Sequence, residues 1–271
     1  MHLAPTATAM RESRPMPPAA APPPTRVVLY HCVGPVKEGY PGWRPGGGGM
    51  ITPAKVLETH IALLRGLGYR FATAGELAGQ WHDSAPPPGI AVLTFDDGWR
   101  DGLTTVAPLL TRLGLRATFF ICPEGFGNHL SHLGDAGTIM TEAEARALHE
   151  AGMELASHTL SHRNLLELSD ADLRLEFEGS RAAVEALTGQ PCLTLAYPTG
   201  RHDPRIERAA AAAGYQLAFA CEHGPWRRFA APRVQAPTIS ARSRVLEKLR
   251  LSPDQPERRP EQEEGPAFAG P

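Results

Sequence analysis

Ile90-Ala91-Val92-Leu93-Thr94-Phe95-Asp96-Asp97-Gly98 decides how this chain is read. Its first six residues carry no charge and no polar alternation, as a strand covered on both faces requires. Two carboxylates follow at once. Successive side chains on a regular strand point to opposite faces, so Asp96 and Asp97 serve one site only if the backbone leaves the pleat there, which Gly98 permits. The pair therefore belongs to the start of a loop. Alone, Asp-Asp-Gly reads as a turn; its weight comes from similar strand ends elsewhere in the chain.

About sixty residues further on, His158-Thr159-Leu160-Ser161-His162 follows Met153-Glu154-Leu155-Ala156, and Leu195-Ala196-Tyr197-Pro198-Thr199-Gly200 ends another apolar run. One carboxylate and two imidazoles suit a hydrolytic metal: a catalytic ion takes three protein ligands and keeps one position for water, which leaves the spare carboxylate as a base. Histidines four apart share one side of a helical turn, and a loop presents them equally well. The Tyr197 to Gly200 stretch is by itself a Pro/Gly turn. Its functional reading is a rigid loop that aims the Thr199 N–H at a developing oxyanion.

Between these stretches, helical patterns close on Gly68, Gly114, Gly152, Gly189 and Gly214. They open on Thr52 with Pro53, Thr141 with Glu144, Ser169, and Asp203 with Pro204. The strands read are Arg26 to Tyr30, Tyr69 to Ala72, Ile90 to Phe95, Ala117 to Ile121, Met153 to Ser157, Leu193 to Ala196 and Leu217 to Cys221. Such alternation gives a doubly wound sheet or a barrel. Chemistry-bearing residues beyond the ends of several different strands favour the barrel. The expectation is one α/β domain, a distorted (β/α)7-type barrel over residues 26–251. A disordered Pro/Ala-rich arm at residues 1–25 and a disordered tail at residues 252–271 flank it.

The 271 residues suffice for that domain, and a net charge of −2 with scattered Lys and Arg offers no basic stripe for nucleic acid and no patch for an anionic membrane. A neutral substrate fits better. Cys32, Cys122, Cys192 and Cys221 form no Cys-x-x-Cys pair and read as buried free thiols. No segment reaches the roughly twenty apolar residues of a membrane span. The first twenty-five residues lack the apolar stretch of a secretory signal, so sequence alone points to a cytoplasmic chain. Oligomeric state is left open.

Taken together and in this order, the elements resemble the polysaccharide deacetylases of carbohydrate esterase family 4, the chitooligosaccharide deacetylase homology domain. The family's Thr-Phe-Asp-Asp-Gly motif is complete at Thr94 to Gly98, and its His-[Ser/Thr]-x-x-His motif is complete at His158 to His162. The likeness runs from about Val27 to Ile239 and includes Gly114-Leu115-Arg116-Ala117-Thr118-Phe119-Phe120, which is similar to the family's third strand. The resemblance implies Asp96 as general base, Asp97, His158 and His162 as metal ligands, and an N-acetylated glycan as substrate. It also implies work in the cell envelope or outside the cell. The divalent ion is expected to be zinc, with iron, cobalt and nickel also suited to mixed imidazole and carboxylate ligands.

Departures from the family pattern shape the remaining assignments. Its Arg-x-Pro-aromatic motif is replaced by Ala196-Tyr197-Pro198-Thr199-Gly200, similar to the branch acting on exopolysaccharide poly-N-acetylglucosamine, with Thr199 where an aromatic is usual. Tyr197, Pro198 and Arg233 are the candidate substrate-binding residues, and Arg233 is also a candidate to orient Asp96. No Leu-x-x-His-Asp follows Cys221, so the general acid is sought at His31, after Val27-Val28-Leu29-Tyr30. First and last strands of a closed barrel are neighbours, which lets a residue after one replace a residue after the other. His223 is the second choice. His60, His82, His129, His132, His149 and His202 read as ordinary histidines.

The expected reaction is metal-assisted hydrolysis of an N-acetyl group, releasing acetate. Two other readings use the same residues: an amidohydrolase acting on a non-carbohydrate C–N bond, and a noncatalytic carbohydrate-binding relative. Phosphoryl transfer with magnesium on the clustered aspartates is a third reading, and the absence of a glycine-rich phosphate loop after any strand weighs against it.

Overall fold

A computed structural model describes residues 21–34, 50–82, 85–129, 137–221, 224–237 and 246–247. Residues 1–20 of the expected arm, the expected tail at 252–271, His132 and His223 lie outside the described residues. The elements in chain order are β1 (Arg26–Tyr30), β2 (Cys32–Val33), β3 (Ile51–Thr52), α1 (Ala54–Gly66), β4 (Arg70–Ala72), α2 (Ala74–Gln80) and β5 (Ile90–Phe95). There follow α3 (Ala107–Arg112), β6 (Thr118–Ile121), α4 (Glu142–Glu150), β7 (Glu154–Ser157), α5 (Asp170–Thr188), β8 (Thr194–Ala196), α6 (Pro204–Ala212), β9 (Leu217–Phe219) and β10 (Val234–Gln235).

The strands form a curled parallel sheet in the order β10-β1-β5-β6-β7-β8-β9, with β4 also paired to β5. Because Ala91 pairs with Arg26 and with Phe71, β1 and β4 lie on opposite edges of β5, and β4 shares its edge with β6. The ends of the sheet come together through one short segment. Ala231 bridges Phe219 of β9, its N–H donates to Ala218 O and its carbonyl accepts from Ala220 N, and Val234 then pairs with Val28 of β1. This is the expected distorted barrel, curled rather than evenly closed.

Period-two side-chain alternation explains why the strands read as unbroken apolar runs. Val27, Ile90, Val92, Phe120, Ala156, Ala196, Leu217 and Phe219 belong to one buried cluster, to which α2 adds Ala74, Leu77, Ala78 and Trp81. The residues between them, such as Val28, Ala91, Leu93, Phe119, Leu155, Leu195 and Ala218, belong to a second cluster with the buried residues of α1, α3, α4, α5 and α6. One sheet face thus packs on itself and on α2, the other on the remaining helices. Continuing the first face past the strand ends leads to residues 96 and 158.

The seven expected strands are present to within two residues at either end; β2, β3 and β10, of two residues each, were not expected. The five helix-closing glycines all have positive φ, from 65° to 92°. Thr141 and Glu144 make the expected capping box, and Ser169 and Asp203 cap α5 and α6. Thr52 is a correction: it sits in β3, and Pro53 precedes α1 without a side-chain cap. Helix α3 emerges from a π-helical turn at Gly102–Val106. A Cβ at Gly102 would stand 2.9 Å from the Phe119 ring, so glycine lets that wide turn lie against β6.

Cys32, Cys122 and Cys192 are buried thiols outside any disulfide, as expected; Cys221 differs in being exposed. Among the described residues no helix is long and apolar enough to cross a membrane.

Candidate active site

Asp96 lies one step beyond β5, its N–H donating to Tyr30 O at 3.0 Å. Both of its carboxylate oxygens are engaged by Arg233, with Nη1 to Oδ1 and Nη2 to Oδ2 each at 2.7 Å. Arg233 follows the Ala231 bridge that closes the sheet. Its guanidinium lies 5.6 Å from the Phe120 ring centroid, and its Nε donates to Ala220 O. Burial pushes the Asp96 carboxyl up, but the Arg233 guanidinium, with His158 and His31 adding, holds it below the usual carboxylate range. The side chain is an ionised carboxylate fixed in orientation.

Asp97 turns the other way because its φ is 73°, the left-handed region that Asp tolerates better than most residues. Its Oδ1 stands 3.4 Å from His158 Nε2 and 3.5 Å from His162 Nε2. Its Oδ2 accepts from the Trp99 indole N–H at 3.0 Å. His158 Nδ1 lies 2.7 Å from Ala196 O, so that nitrogen carries the hydrogen and Nε2 keeps its lone pair toward Asp97. The three ligand atoms all lie within 4.8 Å of one another. Ligands about 2.0–2.2 Å from a tetrahedral zinc sit about 3.3–3.6 Å apart, so Asp97, His158 and His162 fit such an ion. His158 is buried and His162 has 41 % of its side chain exposed, which leaves the open side of the site toward His162.

Electrostatics agree with that donor set. Burial pushes Asp97 up, yet the His158 hydrogen bond and charge, with His31 and His162, bring it well below the usual range. Burial favours neutral His158, whereas Asp96 and Asp97 favour its protonated form and prevail, so its pKa is raised. His162 is pushed down by burial and by His158. A cation among these groups would compete with a proton for the Nε2 lone pair of His158.

The histidine stretch is not helical, although its ends are four residues apart. Thr159 and His162 have φ of 66° and 60°, Thr159 N donates to Ser157 Oγ and His162 N to Thr159 Oγ1. The rings lie 5.0 Å apart at 69°.

Three expected substrate contacts require correction. Tyr197 is fully buried, its hydroxyl donating to Phe229 O and its ring stacked on His202; it has no surface for a sugar. Pro198 is buried as well. Arg233 is fully buried on Asp96, so it is the partner of the carboxylate and not a substrate contact. Thr199 is exposed in the turn after β8, with φ 58°. His31 follows β1 close enough to act electrostatically on both Asp96 and Asp97, and its buried Nδ1 has no hydrogen-bond partner. Sequence reading missed Trp99, which fixes the second oxygen of Asp97, and Asp101, whose Oδ2 accepts from Val33 N at 2.6 Å while Oδ1 is buried without a partner.

The family model described as polysaccharide deacetylase matches residues 83–218, half of the chain; that span holds Asp96, Asp97, His158, His162 and Thr199 but neither His31 nor Arg233. The Bacillus subtilis (strain 168) protein YxkH, named for the polysaccharide deacetylases, is 27 % identical over 199 residues, 73 % of this chain. The chain spans only 64 % of YxkH. A chitin deacetylase of Arthroderma benhamiae is 32 % identical over 91 residues, 33 % of this chain and 22 % of its own length. Among solved structures, the Streptococcus pyogenes deacetylase PplD in complex with acetate aligns over 84 % of this chain and 99 % of its own, with a TM-score of 0.69 at 20 % identity. IcaB from Ammonifex degensii aligns over 79 % and 91 %, with a TM-score of 0.65 at 19 % identity. These last two likenesses concern the fold.

Proposed function

This chain belongs to the polysaccharide deacetylase family, and from that premise we propose that it is a metal-dependent hydrolase that removes N-acetyl groups from a glycan and releases acetate. The observation that carries the reading is the convergence of Asp97, His158 and His162, with Asp97 Oδ1 3.4 and 3.5 Å from the two Nε2 atoms, beside a doubly anchored Asp96. A divalent ion held by those three residues supplies Lewis acidity, acidifying water and polarising an amide carbonyl; zinc suits the donor set, and iron, cobalt or nickel are alternatives.

The residues of the chain account for the proton movements. Asp96 takes the proton of the attacking water, its carboxylate kept available by Arg233. His31, on the first strand beside the closing segment, holds the proton that passes to the departing amine; His223 is the alternative donor. The Thr199 N–H contributes to oxyanion stabilisation. The resemblance of Ala196 to Gly200 to the poly-N-acetylglucosamine branch supports such a substrate, which an enzyme would meet in the cell envelope or outside the cell. The catalytic unit is residues 26–251.

One observation favours a second reading, hydrolysis of a non-carbohydrate C–N bond: Thr199 stands where an aromatic would stack a sugar, and Tyr197 is buried. Acetate release from N-acetylated oligosaccharides and from small N-acetyl amides, with and without chelator, tests both. Activity on oligosaccharides that is lost in Asp96→Asn with metal content intact, and lost together with metal in Asp97→Asn, is the expected result. Chelator-insensitive turnover, or turnover of the small amides alone, overturns it.

A further inference from the structure

Glu176 is a buried carboxylate on α5, only 4 % exposed, and every hydrogen bond that reaches it comes from the stretch between the two histidines. Leu160 N donates to Oε2 at 2.9 Å, Ser161 N donates to the same oxygen at 3.0 Å, and the Ser161 hydroxyl donates to Oε1. Consecutive backbone N–H groups converging on one anion form a nest, here occupied by a side chain of the protein itself. Leu160 is held on two further sides. Its carbonyl accepts from Glu124 N at 3.0 Å, and its side chain packs on Gly179 so closely that a Cβ there would lie 3.1 Å from Cδ2. The neighbours Thr159 and His162 both have positive φ, a conformation that non-glycine residues keep only where surrounding contacts enforce it.

We propose that Glu176 is a positioning residue for the metal centre, fixing the backbone between His158 and His162 so that both Nε2 atoms converge on Asp97. The assignment rests on the metal reading given above. The carboxylate touches neither the ligand atoms nor the open side of the site; it acts through Leu160 and Ser161. Without it, two half-buried N–H groups and a hydroxyl lose their acceptor, and the strained loop is free to relax.

Zinc titration of the full chain by calorimetry tests the assignment, using wild type, Glu176→Ala, Glu176→Gln, Ser161→Ala and Glu154→Gln. Glu154 serves as the control because it is a half-buried carboxylate that likewise accepts hydrogen bonds, from Gly75 N and Thr118 Oγ1, but at the start of β7 and not at its end. Glu176→Ala should weaken zinc binding about 10- to 100-fold, as loss of an outer contact does at other metal centres. Glu176→Gln should recover most of that loss, because the amide oxygen accepts both N–H groups and its NH2 donates to Ser161 Oγ. Glu154→Gln should lower thermal stability and leave zinc affinity unchanged. Wild-type affinity in Glu176→Ala, or an equal loss in Glu154→Gln, overturns the assignment. If Glu176→Ala does not fold, Ser161→Ala decides, with a loss of about 2- to 5-fold expected from one of three bonds and no loss being the overturning result. Absence of zinc uptake by wild type would remove the metal reading itself, an outcome separate from equal binding by wild type and variant.

Discussion

Arg233 grips Asp96 through two parallel hydrogen bonds of 2.7 Å, one to each carboxylate oxygen, where neither side chain meets solvent. A bidentate guanidinium fixes both the plane and the charge of a carboxylate. Burial alone would push the Asp96 carboxyl up, and the guanidinium reverses that.

Arg233→Lys replaces a planar fork with a point charge, so the Asp96 pKa rises and the acidic limb of the kcat/KM profile for acetate release moves to higher pH. Arg233→Met leaves an uncompensated buried charge and should cost about 3–5 kcal/mol of stability, measured by urea unfolding. An acidic limb unmoved in Arg233→Lys would show that Asp96 is not the titrating base.

Trp99→Phe keeps an aromatic side chain, smaller than the indole, but removes the N–H that occupies Asp97 Oδ2. The carboxylate is then free to rotate, and metal affinity should fall about 10-fold, with a stability loss of about 1–3 kcal/mol from the space the smaller ring leaves. Competition titration against a chromogenic chelator reads this out; unchanged affinity would leave the indole as packing alone.

Asp101 gives a pH-dependent stability of definite sign. Burial pushes its carboxyl up to about 7, against the lowering effect of the Val33 N–H. Between about pH 4, where the unfolded chain releases this proton, and about pH 7, where the folded chain does, stability falls as pH rises. Asp101→Asn keeps an acceptor for Val33 without a charge. It should therefore be more stable than wild type at pH 8, by at most about 4 kcal/mol, with the gap closing toward pH 4. Thermal melts across that range check it, and a gap independent of pH would sink the idea.

Gly200 and Thr199 make opposite predictions within one turn. A Cβ at Gly200 would stand 2.5 Å from Cys221 Cβ and 2.6 Å from its backbone N, at a φ of 73°, so Gly200→Ala should destabilise by about 2 kcal/mol or more. Thr199, at φ 58°, is strained, and Thr199→Gly should stabilise by up to about 1 kcal/mol. Equal melting temperatures for the two variants would contradict the backbone geometry.

Asp96, Asp97, His158 and His162 were legible in the sequence because each pair lies within five consecutive residues and the strand runs before them are continuous. The barrel was legible because helices closing on glycine alternate with those runs. Arg233 reads from the sequence both as a substrate contact and as the residue that orients Asp96, and only the second role has a partner in the structure, 137 positions earlier in the chain. Trp99, Asp101 and Glu176 belong to no spaced pattern; each acts as one side chain whose meaning comes from tertiary contact. The burial of Tyr197 did have a signal. It is two residues from Leu195 and shares that residue's cluster against the helices, so period-two counting places it away from the cleft. Strands β2, β3 and β10 are too short to show any periodicity.

The seam at Ala231 to Gln235 has a consequence for a chain still being synthesised. A nascent polypeptide that has emerged only as far as the ninth strand carries both histidines and both aspartates, yet the cylinder stands open and the base sits without its counter-charge. Contacts of such long sequence separation form late. Completion of the site therefore waits on residues 231–235, which both shut the wall and neutralise the group behind it.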